Sequence, residues 1–438
     1  MNFVDSIVAL SSGRLPAGIA VIRISGAQTR FALETIAGGV PKPRTTVYRR
    51  LMAEDGSIID QGIALFFPGP ASFTGEDVGE FHIHGGRATA SALLERLTGI
   101  KGVRHAEPGE FTRRAFLNGK LDLPQTEALA DLVTAETEAQ RRFAVRNADG
   151  AQARLYESWR NRLIRARAMI EAEIDFADED DVPGSVAKSV MADMALLAGE
   201  IETHAGGYAT AEIIRDGFEV VILGAPNAGK SSLLNALARR DVAIVTDEPG
   251  TTRDLIEVSL DLDGLLVRLI DTAGLRDHAG PVEMIGMERA RQRARNANLV
   301  LHLEDMAAPT SIDAGLDALA PVWKVGTKLD LRSHRASEAY DFELSAVAGE
   351  GVRALTDAIG RRAKDMVADA GDILPSRLRH VELLIEASRC LRQAFDCEER
   401  ELQAEALRLA ADRLGRIVGT VDVEDLLDVI FSQFCIGK

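Results

Sequence analysis

A glycine-rich loop between a predicted strand and a predicted helix constrains this chain more than any other feature. Residues Gly224–Ser231 read GAPNAGKS and fit the pattern G-x-x-x-x-G-K-[ST]. They follow the apolar run Phe218–Leu223, which is typical of a buried parallel strand, and precede helical periodicity over Ser231–Ala238. In such loops backbone N–H groups and the helix N-terminus bind phosphate, and here Lys230 would reach the β- and γ-phosphates. The pattern predicts an α/β nucleotide-binding domain.

Motifs farther along the chain favour guanine over adenine. Asp271 follows the apolar run Leu265–Ile270 and opens the motif D-x-x-G, so its carboxylate is expected near Mg²⁺. The motif Thr327–Asp330 follows another apolar run, and its last carboxylate is expected to accept both N1–H and N2–H of guanine. Because adenine offers no such donor pair, the motifs together predict a GTPase. The usual first residue of this motif is Asn, so Thr327 is expected to brace the loop more weakly.

The predicted nucleotide site draws on several separate stretches of the chain. Ser231 and Thr252 are the expected Mg²⁺ ligands, the stem of Lys328 is expected to cover the base, and a backbone N–H of Ser345–Ala346 should meet the guanine oxygen. The whole set is Asn227, Ala228, Gly229, Lys230, Ser231, Ser232, Thr246, Asp247, Glu248, Pro249, Gly250, Thr251, Thr252, Asp271, Thr272, Ala273, Gly274, Thr327, Lys328, Asp330, Ser345 and Ala346.

The length of the chain and its periodicity predict a multidomain protein. A chain of 438 residues with 46% apolar residues exceeds what one hydrophobic core usually organises. Residues 1–119 carry short β-like runs and turn signals, which indicate an α+β domain. Helical patterns over 120–215 and 373–438 predict one helical domain built from two segments. The α/β P-loop GTPase domain, residues 216–372, is then inserted between those segments.

Net charge and cysteine content limit where the protein is expected to act and which partners it is expected to bind. A net charge of −16 argues against a protein that coats nucleic acid on its own. The three cysteines, at positions 390, 397 and 435, show no zinc-type or secreted-framework spacing. The sequence also shows no signal peptide and no apolar stretch long enough to span a bilayer. We therefore expect a cytoplasmic protein with no membrane association.

One segment carries the opposite charge. Between residues 141 and 167 eight arginines stand against Asp149 and Glu157, a local balance of +6. Two interpretations remain open: a solvated helix face, or a patch that faces RNA or a protein partner. The arginines are at positions 141, 142, 146, 154, 160, 162, 165 and 167.

Motifs outside the GTPase segment resemble a named family, the tRNA-uridine-modification GTPases of the MnmE/TrmE type. They are Ile22–Gly26, Ser72–Asp77, His84–Gly86, Pro108–Asp122 and Phe434–Lys438. The resemblance implies an N-terminal domain that forms a homodimer and binds 5-formyl-tetrahydrofolate. It also implies a heterotetramer with an FAD-dependent partner of the MnmG/GidA type. That assembly builds aminomethyl-type groups on C5 of the tRNA wobble uridine, with folate supplying the one-carbon unit.

The resemblance also assigns individual residues. Arg23, Glu80, Lys120 and Lys438 would contact folate, the last of them reaching the N-terminal domain from the C-terminus. Asn227 would bind K⁺ together with Thr246, Glu248 and Thr251. Pro249 stands where the family often has a small residue, so it is expected to stiffen the K⁺-binding loop.

The hydrolytic step needs a residue other than the Gln that many GTPases place after D-x-x-G. That place is taken by Leu275, which forms no hydrogen bond with its side chain. The family pattern assigns the orientation of water to Glu283 and places K⁺ where an arginine finger would act. Arg253 and Arg276 are nearby alternatives for that finger. The predicted catalytic set is Glu283, Lys230 and Arg253.

Other interpretations compete at particular residues. Glu80, His82 and His84 share one face of a strand, which permits a metal site, folate contact or plain packing. Cys435 is either a buried thiol or a neighbour of the folate site, and the acidic run Asp178–Asp181 indicates a solvated turn. For the whole chain, the alternative is an Era-like, GTP-switched RNA-binding or ribosome-assembly factor that transfers no group.

Overall fold

The protein forms two compact units, each with its own β-sheet. The structure, a computed structural model, describes residues 3–175, 186–240, 242–244, 256–271, 292–309, 320–331, 339–368, 371, 373–421, 427, 430, 431, 434 and 437. The first unit comprises Met1–Ala130, Asn147–Ala195 and Arg389–Lys438. The second comprises Asp131–Arg146 and Leu196–Ser388.

The first unit contains a six-stranded sheet in the order β3-β4-β5-β2-β1-β6. Neighbouring strands are antiparallel except β1 and β6, which are parallel. The sheet has one apolar face because Ala20, Ile22 and Ile24 alternate with more exposed residues along β2 and join the buried core. The strands are β1 (Ser6–Leu10), β2 (Ala17–Ser25), β3 (Val47–Met52), β4 (Ile58–Phe67), β5 (Val78–Gly85) and β6 (Val103–His105).

Helices α1 (Thr29–Ala37) and α2 (Arg87–Thr98) bury apolar residues in the core of this sheet. Helix α3 (Glu110–Leu117) is followed by α4 (Leu123–Thr134). A reciprocal cap begins α4: the backbone N–H of Gln125 donates to Asp122 Oδ1 at 2.7 Å, and the Asp122 N–H donates to Gln125 Oε1 at 3.0 Å. This pairing satisfies one free amide at the helix start and fixes where the helix begins.

Helices make up most of the remaining described residues outside the second sheet. They are α5 (Glu138–Ala148), α6 (Ala151–Asp175), α7 (Val186–Gly206), α8 (Tyr208–Asp216), α9 (Lys230–Ala238), α10 (Val352–Val367), α11 (Leu378–Asp396) and α12 (Arg400–Val418). Within the first unit α6 packs against α12. Buried leucines and small residues such as Leu163, Leu407 and Ala411 allow that close approach.

The second unit contains a seven-stranded sheet in the order β13-β12-β11-β7-β10-β9-β8. Its central strands β12, β11, β7 and β10 are parallel, and β9 pairs antiparallel with β10. Continuous apolar runs fit these strands, since helices cover a parallel sheet on both faces. The strands are β7 (Phe218–Gly224), β8 (Ala243–Ile244), β9 (Ile256–Leu262), β10 (Leu265–Asp271), β11 (Leu299–Asp305), β12 (Val322–Thr327) and β13 (Phe342–Glu343).

The parallel strands of this sheet end at one edge, and that edge positions the site. Gly224, Asp271, Asp305 and Thr327 are the last residues of β7, β10, β11 and β12. The carboxyl edge of an open α/β sheet is where such folds bind ligands.

The predicted fold class is confirmed: an α+β N-terminal segment, helical segments, and an α/β segment that carries the glycine-rich loop. The second unit reaches beyond residues 216–372, because 131–146, 196–215 and 373–388 belong to it. The individual domain limits remain predictions. The predicted acidic turn Asp178–Asp181 lies outside the described residues.

Candidate nucleotide-binding site

The phosphate loop joins β7 to α9 through backbone conformations that favour glycine. Gly224 has φ of +152°, and a Cβ at this position would stand 2.4 Å from the carbonyl oxygen of Leu303 on β11. Gly229 adopts φ of +90° immediately before the helix. Asn227 also has a positive φ, +63°, and its side chain is exposed at the loop crest. The loop is therefore pressed against the sheet, with its crest open to a ligand.

Lys230 folds back across the loop from the first position of α9. Its Nζ donates to the carbonyl oxygens of Gly224 and Ala225, both at 2.8 Å, and the side chain is nearly buried. An ammonium held at this position is a fixed positive charge for the terminal phosphates. The next residue, Ser231, places Oγ 3.5 Å from Oδ2 of the buried Asp271. A hydroxyl and a carboxylate are the hard oxygen donors that Mg²⁺ prefers, so this pair fits a magnesium ion.

Thr327 connects the predicted base-binding motif to the phosphate loop. Its hydroxyl lies 2.8 Å from the carbonyl oxygen of Ala228 and 3.1 Å from that of Glu304, and the side chain is buried. The hydroxyl of Thr327 therefore braces the loop itself, at the position where this guanine-binding motif usually has Asn. Two carbonyls converge on one donor, so this contact fixes the spacing between base and phosphate sites.

The base-binding end presents Asp330 to solvent while fixing its orientation. Oγ of the buried Ser345 donates to Asp330 Oδ1, and that hydroxyl accepts the N–H of Ala348 at 3.1 Å. The backbone N–H of Ser345 donates to Glu350 O at 3.0 Å, which leaves the N–H of Ala346 as the candidate donor for guanine. An oriented carboxylate beside a backbone donor is suited to guanine recognition.

Asp305 belongs to this site although the motifs did not indicate it. Its Oδ2 accepts from Lys328 Nζ at 2.6 Å, and Lys328 itself holds φ of +59°. Burial would raise the pKa of Asp305, but hydrogen bonds from Lys328 and from backbone N–H groups outweigh it, so this pKa is lowered. The ion pair aligns the lysine stem that is expected to cover the base. Its position at the end of an apolar strand was the only signal in the sequence.

Much of the predicted site lies outside the described residues. This holds for the predicted catalytic residues Glu283 and Arg253 and for the folate residue Lys438. It also holds for Thr246, Asp247, Glu248, Pro249, Gly250, Thr251, Thr252, Thr272, Ala273, Gly274, Leu275, Arg276 and Cys435. Ser232 is described and exposed in the first turn of α9.

A second polar group lies in the first unit, on the sheet face opposite helices α1 and α2. Arg23 and Glu80 are cross-strand neighbours on β2 and β5, with Arg23 Nη2 2.9 Å from Glu80 Oε1. The guanidinium carbon lies 5.8 Å from the ring centroids of both Phe73 and Phe111. A hydrogen bond from His82, followed by the charge of Arg23, lowers the pKa of Glu80 against the opposing effect of burial. The result is an ionised pair flanked by two aromatic rings.

Of the other two predicted folate residues, Lys120 is described by the structure. Lys120 is exposed after α3, and its backbone N–H donates to Ala115 O at 2.8 Å. Gly437, the neighbour of Lys438, accepts a hydrogen bond from Ser11 Oγ at 3.0 Å. Gly437 therefore lies beside the end of β1.

The two histidines near Glu80 have different partners. His82 Nε2 lies 3.1 Å from Glu80, whereas His84 Nδ1 lies 2.9 Å from Asp60. Among the described residues, no three His, Cys, Asp or Glu side chains come together as metal ligands would. Across those same residues, no helix has the length and apolar character needed to cross a bilayer.

Most of the arginine-rich segment is paired with acids. Arg141 and Arg142 both contact Glu138, Arg162 contacts Asp193, and Arg167 contacts Glu171. Arg154 contacts Asp149 at 3.5 Å. These pairs weaken the local positive potential, so they favour the solvated-face interpretation.

Comparison with known proteins decides the family. A model described as the MnmE helical domain matches residues 123–435, and one described as the N-terminus of the GTP-binding protein TrmE matches residues 6–120. The chain belongs to the MnmE family. It is 68% identical to the tRNA modification GTPase MnmE of Mesorhizobium japonicum over 99% of both chains. It is 56% identical to that of Chelativorans sp., covering 99% of this chain and 98% of the relative.

MnmE-family membership confirms the resemblance that the sequence motifs predicted. The match over residues 6–120 assigns the N-terminal segment to this family. The Era-like alternative gives no account of that segment, so it is not supported. The glycine-rich loop and the guanine motif are accordingly those of an MnmE-family GTPase.

Proposed function

We propose that this chain hydrolyses GTP during modification of C5 of the tRNA wobble uridine, together with an FAD-dependent partner of the MnmG/GidA type. The observation that carries the GTPase part is Asp330, exposed and oriented by Ser345, on the same sheet edge as the phosphate loop. The tRNA part is supported by a relative, 68% identical over 99% of both chains, that is named a tRNA modification GTPase.

The described residues divide the binding of GTP among them. Lys230 contacts the β- and γ-phosphates, while Asp330, Lys328 and the N–H of Ala346 bind the guanine. Ser231 and Thr252 would hold Mg²⁺, with Asp271 beside Ser231. The bound Mg²⁺ would neutralise charge on the phosphates.

Hydrolysis itself depends on Glu283 and on a cation. Glu283 orients the attacking water, because Leu275 has no hydrogen-bonding side chain. Asn227, Thr246, Glu248 and Thr251 would hold K⁺, which supplies positive charge against the phosphates as an arginine finger does. The exposed Asn227 at the loop crest supports this assignment. Arg253 remains the alternative cation.

Folate binding is proposed for the polar group on β2 and β5. Arg23 and Glu80 offer a charged donor and an acceptor beside the partly exposed ring of Phe73. Aromatic and ionic groups side by side suit a flat heterocycle with polar edges. Lys120 and Lys438 would complete the site for 5-formyl-tetrahydrofolate, which supplies the one-carbon unit.

The same sheet face supports homodimerisation through the N-terminal segment. Tyr48 and Ile63 are paired across β3 and β4, and their side chains are 67% and 36% exposed. Ile19 on β2 is 65% exposed. Exposed apolar residues on one sheet face mark an interface. The complete assembly is proposed to be a cytoplasmic heterotetramer with the flavoprotein.

Mass spectrometry of wobble nucleosides from a deletion strain tests the proposal. Loss of the C5 aminomethyl-type group, restored by the wild-type gene, is expected; an unchanged nucleoside profile would contradict the tRNA role. The rate of GTP hydrolysis should fall sharply when Na⁺ replaces K⁺, and Glu283→Ala should lower that rate by about 10²–10⁴ with GTP affinity retained.

Calorimetry with folate tests the N-terminal site. Folate should bind more weakly to Arg23→Ala than to the exposed control Arg49→Ala.

A further inference from the structure

An open cavity of about 830 Å³ lies in the second unit, between the end of α9, the turn of the β9–β10 hairpin and the start of α10. We call it the arginine cavity. Its charged lining consists of Arg239, Arg240, Asp261, Asp263, Arg353 and Arg361, with Asp357 at its side. Four arginines, two just after α9 and two on α10, therefore line one concave surface.

The acidic residues of the arginine cavity are already engaged. Asp261 accepts the N–H of Gly264 at 2.7 Å and so stabilises the hairpin turn. Asp263 lies 3.5 Å from Lys364 Nζ. Asp357 lies 3.8 Å from Arg353 Nε. The lining therefore carries four arginines against three aspartates, and Lys364 beside Asp263 adds to the positive excess.

Three of the arginines retain their charge for a ligand. Arg239, Arg240 and Arg361 form no ion pair with any side chain in the described part of the chain. Arg239 and Arg361 are exposed, and Arg240 is half-buried. Three guanidinium groups without an ion-pair partner among the described residues, on a lining with an excess of positive charge, form an anion-binding surface.

The arginine cavity is separate from the nucleotide site. Lys230 begins α9 and Arg239 follows its last residue, so the two sites lie at opposite ends of a nine-residue helix. At a rise of about 1.5 Å per residue these ends are about 13 Å apart. The bound nucleotide therefore does not occupy the cavity.

Phosphate is the anion that this surface fits best. Guanidinium groups bind phosphate oxygens through two parallel N–H bonds, and several of them side by side match successive phosphates of a strand. On a chain with net charge −16, an RNA backbone is repelled from most of the surface. We infer that the arginine cavity binds the phosphodiester backbone of tRNA; this rests on the proposed function, which makes tRNA the substrate.

Fluorescence anisotropy with labelled tRNA and the full-length protein tests the inference. The variant Arg239→Ala/Arg361→Ala removes two cavity arginines. The control Arg295→Ala/Arg362→Ala removes two exposed arginines of the same unit that lie outside the cavity. The cavity variant should bind tRNA at least about tenfold more weakly, and its log–log salt slope should shrink by about 2. The control should bind as the wild type does, and GTP turnover without tRNA should be unchanged in both.

Equal affinity of both double variants, whether lowered or unchanged, would overturn the inference while leaving the proposed function intact. A wild-type protein that binds no tRNA would remove both. Calorimetry with inorganic phosphate gives a separate arm. Phosphate binding that is lost in the cavity variant, while its tRNA affinity stays at the wild-type value, would assign the cavity to a small anion instead. Loss of binding to the flavoprotein with normal tRNA affinity would assign it to an acidic protein surface.

Discussion

Replacement of Asp330 by Asn tests how the base is recognised. In the wild type both carboxylate oxygens are acceptors, and they match the N1–H and N2–H donors of guanine. Ser345 Oγ donates to Oδ1 and fixes the rotation of the carboxylate. An Asn amide offers one acceptor and one donor. It therefore opposes the guanine N2–H group but matches xanthine, which has a carbonyl at C2.

The expected loss of GTP affinity follows from the two hydrogen bonds to guanine and from the exposure of Asp330. A hydrogen bond to a charged group contributes about 1.5–3 kcal/mol. Asp330 is exposed in the free protein, so its desolvation on binding reduces the gain to the lower end of that range. Two such bonds then amount to about 3 kcal/mol, which corresponds to about 150-fold weaker GTP binding. Xanthosine triphosphate should gain affinity by a similar factor.

Binding of fluorescent nucleotides and phosphate release from GTP and from xanthosine triphosphate measure this exchange. The matched control is Asp305→Asn, which weakens the pair with Lys328 at the same sheet edge but does not face the base edge. Asp305→Asn should lower the affinity for GTP and for xanthosine triphosphate a few-fold, and GTP should remain the tighter ligand. If Asp330→Asn bound GTP within about threefold of the wild type and gained nothing for xanthosine triphosphate, guanine recognition by this residue would be wrong.

Three further substitutions test the loop brace, a helix cap and a buried ion-pair network. Thr327→Val leaves the Ala228 carbonyl without its donor, so GTP affinity should fall by about tenfold, whereas Thr327→Asn should retain it. Burial raises the pKa of Asp122 to about 6, so its ionised form opposes folding and stability should decline from about pH 4 to about pH 6. Asp122→Asn keeps the acceptor for Gln125 and should abolish that decline in urea unfolding, raising stability at pH 7 by up to about 3 kcal/mol. Arg114→Met leaves three carboxylates without their buried partner and should cost about 3–5 kcal/mol in the same assay; a loss below about 1 kcal/mol would contradict it.

The sequence predicted those elements whose signals are local. A short apolar run and a helical pattern on the two sides of the glycine-rich loop predict the strand at 218–224 and the helix at 230–238. Another short apolar run, before the motif D-x-x-G, predicts the strand that ends at Asp271. The cap of α4 was not recognised, although Asp122 and Gln125 have the spacing of a reciprocal cap. Its pattern spans only four residues and begins at the last residue of the family motif Pro108–Asp122.

Contacts between segments that are distant in the sequence could not be predicted from the sequence alone. The pair of Lys328 with Asp305 needs two adjacent parallel strands, and strand order is not written in either segment. The assignment of residues 131–146 to the second unit has the same origin, since the N–H of Ala139 donates to Gly264 O at 3.0 Å. The partners of the arginines between 141 and 167 could also be known only from the fold, because Arg162 pairs with Asp193 on another helix.

The β9–β10 hairpin connects the nucleotide site to the arginine cavity. One end of its ladder carries Asp271, opposite Ile256, and the other end carries the turn at Asp261–Gly264 that lines the cavity. Seven consecutive cross-strand pairs join these ends and form a continuous ladder between Asp271 and the turn. We expect nucleotide exchange at Asp271 to be coupled to the turn through this ladder. The turn also contacts α5, because the backbone N–H of Ala139 donates to Gly264 O. Because coupling between two binding sites is reciprocal, any factor by which GTP changes the affinity for a phosphodiester strand at the turn is also the factor by which that strand changes the affinity for GTP, and titrating each ligand in the presence of the other measures it.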